Sequence, residues 1–241
     1  QDLSATNSFD AQGANLVQNQ GLTLPTDDIV VDGWTWTMNV TQTWDEVSVI
    51  HGGIITHGAG VNDGLWLTAT TVLIDSNSTV DVFARSGANE ISGLRAGGSY
   101  GGRGGNVNGV SGPTFGDVRA PDDIGRAGDA NVYYGGGRIR IAATTLTLDG
   151  TIRANGNGNT GGNCCWGGGS GGSVWLDVGT LQGSGSISAN GGAGPNAGGG
   201  GGGGRVAVYY DDASGFDLDG DVSAYGGNNT VNGTVYDGAA G

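Results

Sequence analysis

The sequence predicts an all-β chain folded as a right-handed parallel β-helix, a solenoid interrupted by long glycine-rich excursions. Three observations carry that expectation. A three-piece unit, RIRIAATTLTLDGTIRANG over residues 138–156, returns as SVWLDVGTLQGSGSISANGG from Ser173 and as RVAVYYDDASGFDLDGDVSAYGG from Arg205. The copies keep one beat, since Gly150, Gly185 and Gly220 lie 35 residues apart. Between the glycines, Val, Ile, Leu, Trp and Tyr recur at fixed phase, and these residues suit a pleated, half-buried surface. A unit this short cannot bury a core alone, so successive units must stack.

Composition agrees and narrows the partners. Glycine is 54 of 241 residues, a content that by itself suggests low complexity; the fixed phase of the apolar residues argues for order instead. Asp and Glu number 23 against nine Arg, there is no Lys, and the net charge is −14. Nucleic acid and anionic membranes are therefore not expected partners. The absence of lysine also removes a phosphate-loop lysine, a Schiff-base lysine and a lysine general base. No apolar run is long enough to span a bilayer, so no membrane insertion is expected.

In chain order, residues 1–28 are polar and weakly patterned and read as an N-terminal cap or arm, and residues 29–241 as a single β-helix domain. Residues 29–58 hold the first rungs, with Trp34 and Trp36 on one face and Val47 and Val49 on another. His51 and His57 read as exposed histidines of these rungs, because no spacing supplies the further ligands of a metal site. A fourth, more diverged copy starts at Gly64. Residues 86–137 then interrupt the units as a lid or as a glycine-rich layer packed along the solenoid.

Each unit is expected to contain three short strands. Ile139, Ile141, Val174, Leu176, Val206 and Val208 would point inward on one face, and Ile152, Ile187 and Val222 on another. Arg140 and Trp175 fall outside on adjacent rungs, spaced for a cation–π stack, in line with Trp66 and Ala207. The glycine runs before the strands serve close backbone approach or positive φ.

The ordered motifs GGSYGGRGG, GGGRIRI, LDGTIRANG, GGSGGSVWL, GTLQGSGSISANGG and GGGGGGRVAVYY, over roughly residues 64–241, resemble the Gly-rich repeat domains of very large secreted or cell-surface bacterial proteins. That resemblance implies an extracellular β-helical stalk or surface module with no defined activity. It also implies a domain that continues beyond residue 241.

The chemistry of the side chains points the same way. G-x-S-x-G occurs around Ser99 and Ser170, but a nucleophile elbow needs a following helix and none is predicted. No catalytic residue is assigned; a β-helical polysaccharide lyase or glycosidase built on clustered Asp is the least favoured alternative. Asp122, Asp123, Asp211 and Asp212 read as turn residues or calcium ligands, calcium being the one cofactor considered, although neither the calcium-roll repeat nor the EF-hand spacing is present. Trp66, Trp175 and Trp166 are candidate carbohydrate platforms. The adjacent Cys164 and Cys165 lack metal or redox spacing, leaving a vicinal disulfide or a crosslink to another chain, either in an oxidising compartment. The leading expectation is a non-enzymatic structural module of a secreted or cell-surface fibre, sheath or adhesin stalk. It would self-associate end to end or contact neighbouring domains. The alternative is a carbohydrate-binding module with a polysaccharide partner.

Overall fold

The computed structural model describes residues 8–10, 15–19, 28–88, 93–129, 133–158, 165–195, 197–231, 234–235 and 237–241. No α-helix occurs among them. In chain order the strands are β1 (Ser8–Asp10), β2 (Leu16–Gln18), β3 (Asp28–Asp32), β4 (Thr35–Met38), β5 (Thr41–Ile50), β6 (Ile54–Thr56), β7 (Leu65–Ile74) and β8 (Thr79–Asp81). They continue as β9 (Arg138–Leu148), β10 (Thr151–Arg153), β11 (Ser173–Gln182), β12 (Ser186–Ser188), β13 (Arg205–Gly215), β14 (Val222–Ser223), β15 (Thr230–Val231) and β16 (Thr234–Val235).

Odd-numbered strands up to β13 form one seven-stranded sheet, and even-numbered strands up to β14 a second; β15 and β16 pair with each other. Every neighbouring pair within the two large sheets is parallel, as in β9 with β11 and β10 with β12. The chain thus passes from long sheet to short sheet and back, once per unit. Register follows the sequence beat. Ile152 pairs with Ile187 and Ile187 with Val222, 35 residues apart each time, whereas in the long sheet Val206 follows Val174 by 32 because the last glycine excursion is shorter.

The three strands expected per unit are two. RIRIA and TLTL are halves of one continuous strand, β9, and the same holds in β7 and β11. What separates the halves is a slip of phase. Leu65, Leu67 and Ala69 face inward, and so do Val72 and Ile74 beyond the slip; Val174, Leu176 and Val178 are followed by Leu181. One residue per strand drops out of the pairing at the same level, between Ala69↔Ala143 and Thr71↔Thr145, and between Val178↔Ala143 and Thr180↔Thr145. Neighbouring strands share the irregularity, so the ladder continues through it in register.

Between the sheets the ladders close a core. Ile139, Ile141, Val174, Leu176, Ile152 and Ile187 are fully buried, while Val206, Val208 and Val222, in the last rung, are partly buried. The early rungs fill the same space with Trp34, Trp36, Met38 and Trp44; the Trp36 and Trp44 rings meet edge to face at 5.2 Å. Segment 1–28, read as a cap or arm, contributes β1 and β2, the edge strands of the two sheets.

In the later units the third side is glycine-rich: the described parts of the connections from β8 to β9, β10 to β11 and β12 to β13 run alongside and bond to one another. Residues 198–204 are all buried and show the pattern most fully. Gly199 and Gly202 donate to the carbonyls of Arg95 and Gly98, Gly201 and Gly204 to those of Gly192 and Ala189, and Gly203 to Ala239. In return, Gly168 and Gly171 donate to Gly199 and Gly202, Gly105 to Gly200, Gly102 to Gly203 and Gly227 to Gly201. Each neighbour is thus met at every third residue. That period is the signature of a three-residue-per-turn extended helix with no internal hydrogen bonds. Such a helix sends its N–H and C=O groups outward in several directions, so one leg can be hydrogen-bonded by a ring of others. The glycines of this run do not have positive φ; of the two reasons expected for them, close approach is the one that applies. A Cβ at Gly201 would be driven into the Gly169 carbonyl oxygen.

The excursion over 86–137 belongs to this layer. Its residues 97–105 bond to the 198–204 leg, and its later part lies over the starts of β11 and β13. There Ser173 Oγ donates to the Asp123 carbonyl, so the Tyr100 hydroxyl, 2.7 Å away, donates to Ser173. Burial pushes the Tyr100 phenol up to about 12. Arg205 reaches the Phe115 carbonyl at 2.9 Å.

Candidate functional site

The outward face of the long sheet carries ladders of its own. The first runs through Thr41, Trp66, Arg140, Trp175 and Ala207. The Arg140 guanidinium lies 4.2 Å from the Trp66 ring centroid and 3.9 Å from that of Trp175, inserted between the two. The expected stack is therefore present and doubled. Its consequence is that one face of each indole is occupied by the protein's own cation. Trp166 is half-exposed in the glycine layer, where its carbonyl abuts Gly198.

One ladder over, the side chains shrink. Thr68, Ala142, Asp177 and Tyr209 are aligned on β7, β9, β11 and β13. Beside them lies the phase slip, with Thr144, Gly179 and Asp211 at its level. Together they line a cavity of about 690 Å³ whose floor is Ala142, Ala143 and Gly179 and whose far side is Tyr209, Tyr210 and Asp211. Local sequence explains the shape. Alanine and glycine stand where Trp and Arg build the neighbouring ridge, and at Gly179 an added Cβ would crowd the Thr144 carbonyl at 2.7 Å. Tyr209 and Tyr210 are 44% and 48% exposed, and the Tyr209 hydroxyl donates to the Arg119 carbonyl at 2.8 Å, which fixes that ring.

The acidic residues singled out in the sequence are scattered. Asp211 lines the groove. Asp212 turns to the Ser214 backbone N–H at 2.9 Å, and that bond holds its carboxyl below the usual value. Asp122 is exposed, and Asp123 is engaged through its carbonyl by Ser173. Among the described residues, no three His, Cys, Asp or Glu side chains gather to hold a metal ion. Cys165 is buried, has a φ of 96° and is not a free thiol; Cys164 lies outside the described residues. The hydroxyls of Ser99 and Ser170 are fully buried and accept from the backbone of Gly104 and Arg126. They serve the glycine layer.

The histidines divide. His51 is exposed and pairs with Asp32 at 2.8 Å. His57, expected to be exposed, is fully buried. Its Nδ1 donates to the Gly58 carbonyl at 2.7 Å, and its Nε2 accepts from the Arg138 backbone N–H at 3.2 Å. Burial lowers its pKa to about 4, with the charges of Arg85 and Arg138 acting the same way. The reason lies in topology: the imidazole fills the corner where β9 starts after the long excursion, a neighbour 81 residues away in sequence.

Asp177, Tyr209, Tyr210 and Gly179 were not singled out in the sequence. For Asp177 and Tyr209 the available signal was alignment, because they stand with Thr68 and Ala142 in the outward position next to the Trp66, Arg140 and Trp175 ladder; Gly179 falls at the slip and Tyr210 in register with Val178. No family model, no curated protein and no solved structure matches the chain.

Proposed function

We propose that this chain is a structural module of a secreted or cell-surface protein, a right-handed β-helical solenoid that builds a fibre, sheath or adhesin stalk by end-to-end association. One observation carries the reading. Each unit contributes a long strand and a short strand that pair with their counterparts in the next, and in the later units glycine-rich legs bond to one another as well. Right-handedness is the expected hand for a crossover between parallel strands of one sheet. A stack bonded on every side resists bending, and its growth stops only at its ends. Among the described residues the 11-residue β13 is the outermost strand at one end of the long sheet. A long, unpaired edge is a template for another chain. An oxidising exterior suits Cys165, and the Cys164–Cys165 pair is read as a vicinal disulfide.

Negative-stain electron microscopy of the purified chain, across salt and protein concentration, tests the assembly. Filaments or end-to-end oligomers whose width matches one solenoid are the expected result. Isolated particles under every condition would refute end-to-end association.

A further inference from the structure

We propose that the groove across β7, β9, β11 and β13 binds a linear glycan bearing free amino groups, with sugar rings against Tyr209 and Tyr210 and ammonium groups on Asp177 and Asp211. The inference does not depend on end-to-end assembly, since the groove opens on the outward face of the sheet and is lined by one chain alone, although its far side belongs to the edge strand β13.

The shape comes first. The cavity of about 690 Å³ falls within the usual range of small-ligand sites, about 300–1,000 Å³. It crosses four strands in succession, about 4.8 Å apart from one to the next, so it is a trough along the stacking axis. An extended polymer fits a trough better than a compact metabolite does. The ridge of Trp66, Arg140 and Trp175 borders it on one side, and that ridge is locked by its own cation–π contacts.

Charge then selects the polymer. The lining contains two carboxylates, Asp177 and Asp211, and no arginine or histidine. Among the described residues neither carboxylate has a hydrogen bond or ion pair, and both are exposed. Arg140 in the bordering ridge is held between its two tryptophans, and Arg119 gives the groove only its carbonyl, on Tyr209; the backbone N–H and the charge of Arg119 both serve Asp117. A uronate or sulfated glycan would meet uncompensated negative charge here, and a neutral one would leave both carboxylates unused. An aminated glycan satisfies them. Tyrosine supplies the remaining chemistry, an apolar ring face for the sugar with a hydroxyl for its rim. Because Tyr209 is already held by Arg119, its ring loses little freedom on binding. A basic peptide is the less suitable occupant, as the floor of Ala142, Ala143 and Gly179 offers no pocket for side chains.

Isothermal titration calorimetry at pH 6 with the hexamer of glucosamine tests this, alongside the N-acetylglucosamine hexamer, hexagalacturonate and hexalysine. The glucosamine hexamer is expected to bind, at least tenfold more tightly than its acetylated form, with no binding of the galacturonate. Asp177→Asn with Asp211→Asn should weaken it at least tenfold, and so should Tyr209→Ala with Tyr210→Ala, in variants whose melting curves match the parent. Asp122→Asn with Asp219→Asn, which removes the same charge elsewhere, should leave affinity within twofold. The proposal is overturned by no binding of the glucosamine hexamer at millimolar concentration. Equal losses in the two Asp pairs overturn it as well, because attraction would then come from net charge alone. Tighter, groove-dependent binding of hexalysine would replace it with a peptide site.

Discussion

The two sheets and the glycine layer solve the same stacking problem with opposite means. In the sheets, strands are joined by backbone ladders, but what fixes one unit on the next is the column of side chains, Leu65, Ile139 and Val174 or Val80, Ile152 and Ile187. In the glycine layer the bonding is chiefly backbone to backbone, with side chains such as Ser99 and Ser170 joining at a few points. Gly201 donates to Gly192, accepts from Gly227 and lies against Gly169, so three different neighbours are met by one residue's backbone. The difference teaches what each half can tolerate. A sheet position can lose a methylene and keep its hydrogen bonds; a layer position cannot gain a methyl without losing them.

The sharpest way to break this comparison is a single methyl at the centre of the layer. Gly201→Ala should destabilise by about 5 kcal/mol, combining overpacking of about 1–3 kcal/mol with two displaced backbone hydrogen bonds at about 1–3 kcal/mol each. Chemical denaturation reads it, and a loss below about 1 kcal/mol would show that the legs are loosely packed. Leu176→Ala, the counterpart in the sheet core, removes buried methylenes and should cost about 3–4 kcal/mol, with the fold retained. An alanine would then be worse as an insertion in one half than as a truncation in the other.

How much of this was legible follows the same division. The sheets were written in side chains, so alternation and the 35-residue beat led to parallel stacking, to the inward ladders and to the Arg140–Trp175 stack. The slip between Ala69 and Val72 reads in the sequence as a strand break, because a shared irregularity leaves no mark except a repeated change of phase. The glycine layer was legible only as composition. Seven consecutive glycines carry no phase, and the neighbours of Gly199 and Gly202 are near Arg95 and Gly98, about a hundred positions earlier. The groove left little mark in the sequence for a related reason: its floor is defined by the smallness of Ala142 and Gly179, and small residues carry no chemistry of their own.

At the junction of the two halves sits His57, and acid should test it. The folded pKa of about 4 lies below the ordinary 6.5, so its stabilising contribution is complete above pH 6.5. That contribution is lost as pH falls from 6.5 toward 4, where the unfolded chain takes up the proton and the folded one resists it. At about 1.4 kcal/mol per pH unit the loss is about 3 kcal/mol. Protonation would set a second N–H against the Arg138 N–H that Nε2 now accepts. Denaturation curves at pH 7.5 and pH 4 should show the loss in the parent and a correspondingly smaller one in His57→Asn. Equal slopes in both proteins would remove His57 as the acid-sensitive group.

The smallest effect is expected at the seam where each short strand hands over to its glycine leg. Asn155 and Asn190 occupy the same place in successive units. Asn155 Oδ1 accepts the Asn190 backbone N–H, and Asn190 Oδ1 accepts that of Tyr225, both at 2.7 Å; Asn190 Nδ2 also donates to Ser223 Oγ at 3.0 Å. This ladder of side chain onto backbone is neither apolar column nor glycine lattice, which makes it the transition between them. Asn190→Ala removes two of these bonds in a partly exposed setting and should cost about 1–2 kcal/mol. Asn190→Asp keeps the acceptor for Tyr225 and should recover part of that loss. Hydrogen exchange localises the effect: the Tyr225 amide should lose protection in Asn190→Ala while the Ile187 amide, which donates to Asp221 within the sheet, keeps it. If both amides lost protection together, seam and sheet would be one cooperative unit, and the division between the two halves would hold for packing but not for unfolding.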